Sequence, residues 1–185
     1  MESDAELVSR WRDGDRPSLE MLLRRYESDI YGYLVRLLGN RHDAEDAAQN
    51  AFVNAVRSLP RYRERGTFKS WLFRIAHREG GRILRRRRRS RESVGLHGPA
   101  AEAAMPVDRT TPDSNAMSHE DAVRVRAALE RLPAREREVV VLRTYTGLTF
   151  REIAAITACP INTALARMHR ATGRLRAWLE LEEGN

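Results

Sequence analysis

"TFREIAAITACPINTALARMHRATGRL", residues 149–175, decides the fold. Thr149 and Glu152 stand in capping-box spacing, so a short helix starts here. The break "TACP", 157–160, stops it, and a longer helix follows. Short helix, tight turn, longer helix is the spacing of a helix-turn-helix. Ile153, Ala154, Leu165 or Met168, and Leu175 are expected to hold the pair together. The second helix would enter a major groove and turn its N-terminal side chains to base edges. Those side chains are Asn162, Thr163, Ala166, Arg167, His169 and Arg170. A purely structural hairpin would have the same spacing, but the basic residues on the outward part of the helix favour DNA.

Working outward, "SHEDAVRVRAALERLP" (118–133) and "AREREVVVLRTYTG" (134–147) add two helices, the second ending at Gly147. Together 118–185 form one small helical domain. Upstream, residues 91–117 are rich in Ala, Gly, Pro, Ser and Thr and show no period, which reads as a flexible linker. Residues 1–90 return to helical spacing. "DAELVSRWRDG" (4–14) places Leu7, Val8 and Trp11 on one face. "DRPSLEMLLRRYESDIYGYLVRLLGN" (15–40) has Pro17 in its first turn and Gly39-Asn40 at its end, with Gly32 as an expected interruption. "HDAEDAAQNAFVNAVRSLP" (42–60) has an apolar stripe of Ala44, Ala48, Ala51, Phe52, Ala55 and Val56. "TFKSWLFRIAHREGGRILRRRRR" (67–89) turns Phe68, Trp71, Leu72, Ile75 and Ala76 to a core, and Gly80-Gly81 is expected to break its regularity. The fold class is all-α: two small helical domains joined by a flexible linker.

The chain has 185 residues, enough for one or two domains, and a formal net charge of +7. The charge is concentrated. Residues 57–91 hold 14 Lys/Arg against 2 Asp/Glu, a local +12, which leaves −5 for the remainder. That points to a localised polyanion site rather than a generally adhesive surface. Cations interleave with aromatics there, as single-strand binding needs. The candidates are Tyr62, Arg63, Arg65, Lys69, Arg74, Arg78, Arg82, Arg85 and Arg86, with Tyr62 as the stacking ring because it sits in the loop "RYRERG". Phe68 and Trp71 read as core. The run Arg85–Arg89 reads as phosphate contact.

Other classes are excluded or disfavoured. The histidines are scattered, and no zinc-protease, P-loop, dinucleotide or nucleophile-elbow motif is present, so an enzyme and a small-molecule substrate are not expected. Asp43, Glu45 and Asp46 lie together, but carboxylates at a helix start are ordinary dipole complements. They read as a polar partner face, not a metal site, and no cofactor is expected. A single cysteine, Cys159, fits a reducing, cytoplasmic setting. The acidic, polar N-terminus is no signal peptide. The longest aliphatic run, Val139 to Leu142, gives no membrane insertion.

Taken together, these stretches resemble the RNA polymerase sigma factors of the extracytoplasmic-function (ECF) group. "DAEDAAQNAFVNAVRSLPRYRERGTFKSWLFRIAH" resembles region two of that family, and "LERLPAREREVVVLRTYTGLTFREIAAITACPINTALARMHRA" resembles region four. The resemblance implies a non-catalytic subunit that binds core RNA polymerase and directs it to promoters. It implies that Asp46, Gln49 and Asn50 face the polymerase clamp. The loop and helix after Pro60 would capture and open the minus-ten element, and 118–185 would read the duplex minus-thirty-five element. Promoter DNA, duplex and melted, is then a partner, and the family admits an anti-sigma factor. The chain departs from the family pattern at Asn50, Arg78, Gly80-Gly81 and Leu165. A self-sufficient helix-turn-helix regulator, or a non-specific nucleic-acid adaptor, is the competing reading. Neither uses the acidic helix, the basic segment and the recognition helix together.

Overall fold

The computed structural model describes residues 2–63, 66–93 and 119–183. Among these, all regular structure is helical, as expected. The chain divides into two compact units, Met1–Met105 and Pro106–Asn185. The first holds α1 (Asp4–Arg12), α2 (Arg16–Leu38), α3 (Arg41–Ser58), a 3-10 turn (Leu59–Arg61) and α4 (Phe68–Ser93). The second holds α5 (His119–Arg131), α6 (Ala134–Thr146), α7 (Phe150–Ile156) and α8 (Ile161–Glu183). The boundary expected at residue 90 thus falls inside α4. The rest of the expected linker, 94–117, lies outside the described residues.

The first unit is built around α2. Pro17 occupies its first turn, where a missing N–H costs nothing. Gly39 ends it in the left-handed conformation at φ 68°. The very next residue starts α3: the Asn40 side chain accepts from the Asp43 N–H at 3.0 Å. Along α3 the buried residues are all alanines, at 44, 47, 48, 51 and 55, and such small side chains let α2 and α4 both lie close to it. Phe52 is only half-buried and Val56 is exposed, so the apolar stripe is narrower than the sequence suggested. Leu22, Ile30, Tyr33 and Leu34 of α2 share the core with Leu72, Phe73 and Ala76 of α4. Tyr33 meets Phe73 edge-on at 5.5 Å, and its hydroxyl lies 2.9 Å from His77 Nδ1.

Neither expected helix break occurs. α2 passes through Gly32 and α4 passes through Gly80-Gly81 without interruption. The reason at Gly80 is packing. A Cβ there would stand 2.9 Å from Leu37 Cδ2 and 3.2 Å from Leu34 Cδ2, so the missing side chain lets α4 press against α2. Gly81 has no such neighbour; its Cβ would meet only the Arg85 guanidinium at 3.5 Å. Two turns beyond Gly80, the arginine run folds part of itself back. Arg87 Nη1 donates to the Leu38 carbonyl at 2.8 Å, and Nη2 pairs with Asp43 at 2.5 Å. Arg87 therefore caps the open C-terminal end of α2, whose last carbonyls have no partner within the helix, and ties that end to the start of α3.

In the second unit, Gly147 closes α6 at φ 68° and Thr149 opens α7 with the capping box read from the sequence. The turn before α8 has Ala158 in the left-handed region at φ 50°, and the Cys159 N–H reaches back to the Ala154 carbonyl at 3.0 Å. Leu129, Leu132, Val140 and Ala171 form a core cluster, against which Val125, Met168, Leu175 and Trp178 pack. Met168 and Leu175 thus serve the joint of α8 with α5 and α6, not only the α7–α8 pair. Leu165 is exposed, and Ala164 is the fully buried residue in the first turn of α8.

The two glycines should respond oppositely to alanine. Gly80→Ala overpacks the α2–α4 contact and should cost about 1 kcal/mol net, whereas Gly81→Ala should gain up to about 1 kcal/mol of helix propensity; urea denaturation of the two variants checks this. Arg87→Ala should destabilise the first unit by roughly 1–2 kcal/mol, since it removes a charge-assisted bond at the α2 terminus and leaves Asp43 only the more distant Arg86. Arg89→Ala, at an exposed position without a partner among the described residues, should change stability by less than about 0.5 kcal/mol in the same assay.

Candidate nucleic-acid and partner interfaces

Because α4 is unbroken, Arg74, Arg78, Arg82 and Arg85 recur along one exposed side of it. From Arg74 to Arg85 they span about 16 Å at 1.5 Å per residue. Arg74, Arg78 and Arg85 make no hydrogen bond or ion pair with any described residue. Arg82 differs. It donates to both oxygens of Glu79, at 3.0 and 2.8 Å, and Asn54 reaches the same carboxylate at 3.1 Å. Glu79 is buried, so this pairing satisfies a charge that the core would otherwise expel. Arg86 is largely exposed and stands 3.6 Å from Asp43. Lys69 is half-buried, 3.4 Å from Asp29. Arg63 is exposed and without a partner among the described residues, while Arg65 lies outside them.

Tyr62 is not the exposed stacking ring that its loop position suggested. It is 7% exposed, with its ring 4.8 Å from Trp71 and 5.6 Å from Phe68. Its carbonyl accepts from Arg12 at 2.6 Å. The ring anchors the loop to the start of α4, because aromatic packing against Phe68 and Trp71 is worth more than exposure to water. Trp71 is the half-buried member of this cluster.

On α3, Asp46, Gln49 and Asn50 are exposed and make no bond with any described residue. Asp46 and Gln49 border a shallow groove that Arg24, Tyr31, Phe52 and Val53 also line. The groove continues past Phe52 to Leu19 and Leu23 of α2. Sequence reasoning placed Phe52 in the core and so missed the groove. Asp43 is not part of this face; Arg87 holds it. No group of His, Cys, Asp and Glu among the described residues could hold a metal ion, and no helix there is long and apolar enough to cross a membrane.

On α8, Asn162, Leu165, Ala166 and His169 form an exposed outward stripe. Thr163 and Arg167 are half-buried on its flank, and Arg167 Nη1 is buried without a hydrogen-bond partner. Arg170 continues that flank. Its Nε donates to Glu136 of α6 at 3.2 Å. Arg174, one turn further, lies 3.3 Å from the other oxygen of the same carboxylate. Glu136, Arg174 and the exposed Leu165 were not among the sequence candidates. The paired residues are 34 positions apart in sequence, and no periodicity signals such a pair.

The family models for sigma-70 region 2 and sigma-70 region 4 match residues 22–90 and 122–175. The RNA polymerase sigma-H factor of Pseudomonas aeruginosa is 31% identical over 92% of this chain and 90% of its own length. The ECF RNA polymerase sigma-E factor of Haemophilus influenzae is 30% identical over 91% of each. Among solved structures, the sigma factor RpoE of Bartonella quintana, crystallised with the anti-sigma factor NepR, superposes with a TM-score of 0.72 at 25% identity, covering 87% of this chain and 96% of that one. Two helical units, the basic helix of the first and the helix-turn-helix of the second agree with these matches, and the chain belongs to the ECF group of RNA polymerase sigma factors, non-enzymatic initiation factors that direct the polymerase to promoters.

Proposed function

We propose that the work of this sigma factor is divided among three surfaces. Asp46, Gln49 and Asn50, with the groove beside Phe52, take the clamp of core RNA polymerase. Arg63, Arg74, Arg78 and Arg85 track the DNA backbone around the minus-ten element, flanked by Arg82, Arg86 and Lys69, whose charges are shared with carboxylates of the fold. The stripe Asn162, Leu165, Ala166 and His169 enters the major groove of the minus-thirty-five element, where exposed Leu165 suits apolar contact with a thymine methyl group. The protein acts in the cytoplasm. An anti-sigma factor is a fitting regulator, given that the Bartonella relative is bound to one.

The observation that carries this reading is a sorting of charges. The first unit pairs the charged groups its own fold uses: Asp43 with Arg87, Glu79 with Arg82, Asp29 with Lys69. It leaves Asp46 on α3, and Arg74, Arg78 and Arg85 on α4, without internal partners among the described residues. Exposed surface charges of this kind add little to folding, but they steer and orient partners of opposite sign. The direct experiment is promoter-dependent transcription by core polymerase with and without the chain.

Two variants separate the surfaces. Asp46→Arg combined with Gln49→Ala should leave circular dichroism unchanged and lower retention by core polymerase at least tenfold in a pull-down; wild-type retention of the folded variant removes α3 from the interface. Arg74→Gln with Arg78→Gln should leave core binding intact. It should reduce the salt slope of promoter binding by the holoenzyme by up to about 0.9 per contact for duplex phosphates and about 0.7 for single-stranded ones. An unchanged slope assigns these arginines to solvent.

A further inference from the structure

Glu136 lies in the first turn of α6, where a carboxylate complements the helix dipole. That role does not require burial, yet Glu136 is 6% exposed. The groups that compensate it come from α8. Arg170 donates Nε to Oε1 at 3.2 Å, and Arg174 Nε stands 3.3 Å from Oε2. Oε2 is buried and has no hydrogen bond, so this ion pair is its compensation. Both arginines are engaged at the back of the guanidinium. Their Nη1 and Nη2 groups make no hydrogen bond to any described residue, and the side chains remain 54% and 49% exposed. A guanidinium held at Nε keeps a planar pair of donors in front, the geometry that fits two oxygens of one phosphate. Two cations one turn apart repel; a shared carboxylate beneath them offsets this and fixes both. Their position on the flank of α8, away from the outward stripe, suits the backbone of a duplex rather than its base edges.

We infer that Glu136 is a positioning residue that holds Arg170 and Arg174 as a two-pronged clamp for backbone phosphates of duplex DNA. This rests on the proposed duplex-facing role of α8. It moves Arg170 from base reading to phosphate contact and adds Arg174 to the interface. A carboxylate near DNA also repels phosphate, so loss of Glu136 has two opposing effects. Repulsion is relieved whatever else is present, whereas the positioning effect vanishes when the arginines are absent.

The test uses the full chain and a labelled mixed-sequence duplex, with affinity measured from 50 to 200 mM salt and thermal melting recorded alongside. Arg170→Ala and Arg174→Ala should each lower the salt slope by about 0.9, which shrinks the affinity ratio across that range roughly 3.5-fold. Arg174→Lys, which keeps the charge without the fork, should restore the slope but not the full affinity. Glu136→Gln should weaken binding several-fold in the wild-type background and not in the Arg170→Ala/Arg174→Ala background. An equal effect in both backgrounds overturns the positioning role, whatever the melting shows. An unchanged slope for Arg174→Ala, with Arg167→Ala still weakening binding, overturns the clamp and leaves α8 on the duplex. Unchanged binding for all three arginine variants and for Asn162→Ala with His169→Ala overturns the clamp and the duplex-facing reading together.

Discussion

The close approach of α4 to α2 at Gly80 sets the geometry of the first unit. With no side chain at that position, Leu34 and Leu37 can fill the space directly against the α4 backbone. α4 then runs unbroken to Ser93. A helix that broke there would scatter its arginines, since a side-chain stripe exists only while the helical period is kept. The same approach brings Arg87 within reach of the α2 terminus. An apolar contact thus determines where the positive charge lies, and one of the charges in turn locks that contact.

The five consecutive arginines are not one feature. Helical spacing sends each to a different azimuth, so a run that looks uniform in sequence is divided in space between the protein and its surroundings. Arg87 turns inward to Asp43 and Leu38, while Arg85 points to solvent. In the second unit the division occurs within single side chains: Arg170 donates Nε to Glu136, Arg174 sets Nε beside the same carboxylate, and both side chains stay about half exposed. Arginine permits this because its donors face more than one direction from a rigid plane; lysine does not.

Much of the fold was legible because its signals are local. Pro17, Gly39, Gly147 and the Thr149–Glu152 pair mark helix ends through backbone geometry that depends on a few adjacent residues. The acidic face of α3 and the basic side of α4 were legible as composition and period. What failed depended on a second element. Tyr62 reads as a surface ring because a loop carries no period, yet Phe68 and Trp71 stand within reach of it. Phe52 and Val56 fit a helical stripe, but the stripe extends past the edge of the neighbouring helices. Gly80 and Gly81 look alike in sequence and differ only in what they face. Glu136 reads as one more surface acid in "REREV" until α8 is laid over it.

The corner at Gly39-Asn40 bears on how the first unit assembles. One residue ends α2 and the next caps α3, so the two helices join with almost no intervening chain. Closing so short a connection costs little entropy, and contacts between sequence neighbours form fast. The α2–α3 hairpin is therefore the natural nucleus of this unit. The Arg87–Leu38 bond spans 49 residues, so it closes a far longer loop than the corner does. The basic side of α4 thus hangs on long-range contacts, whereas the α2–α3 corner is local.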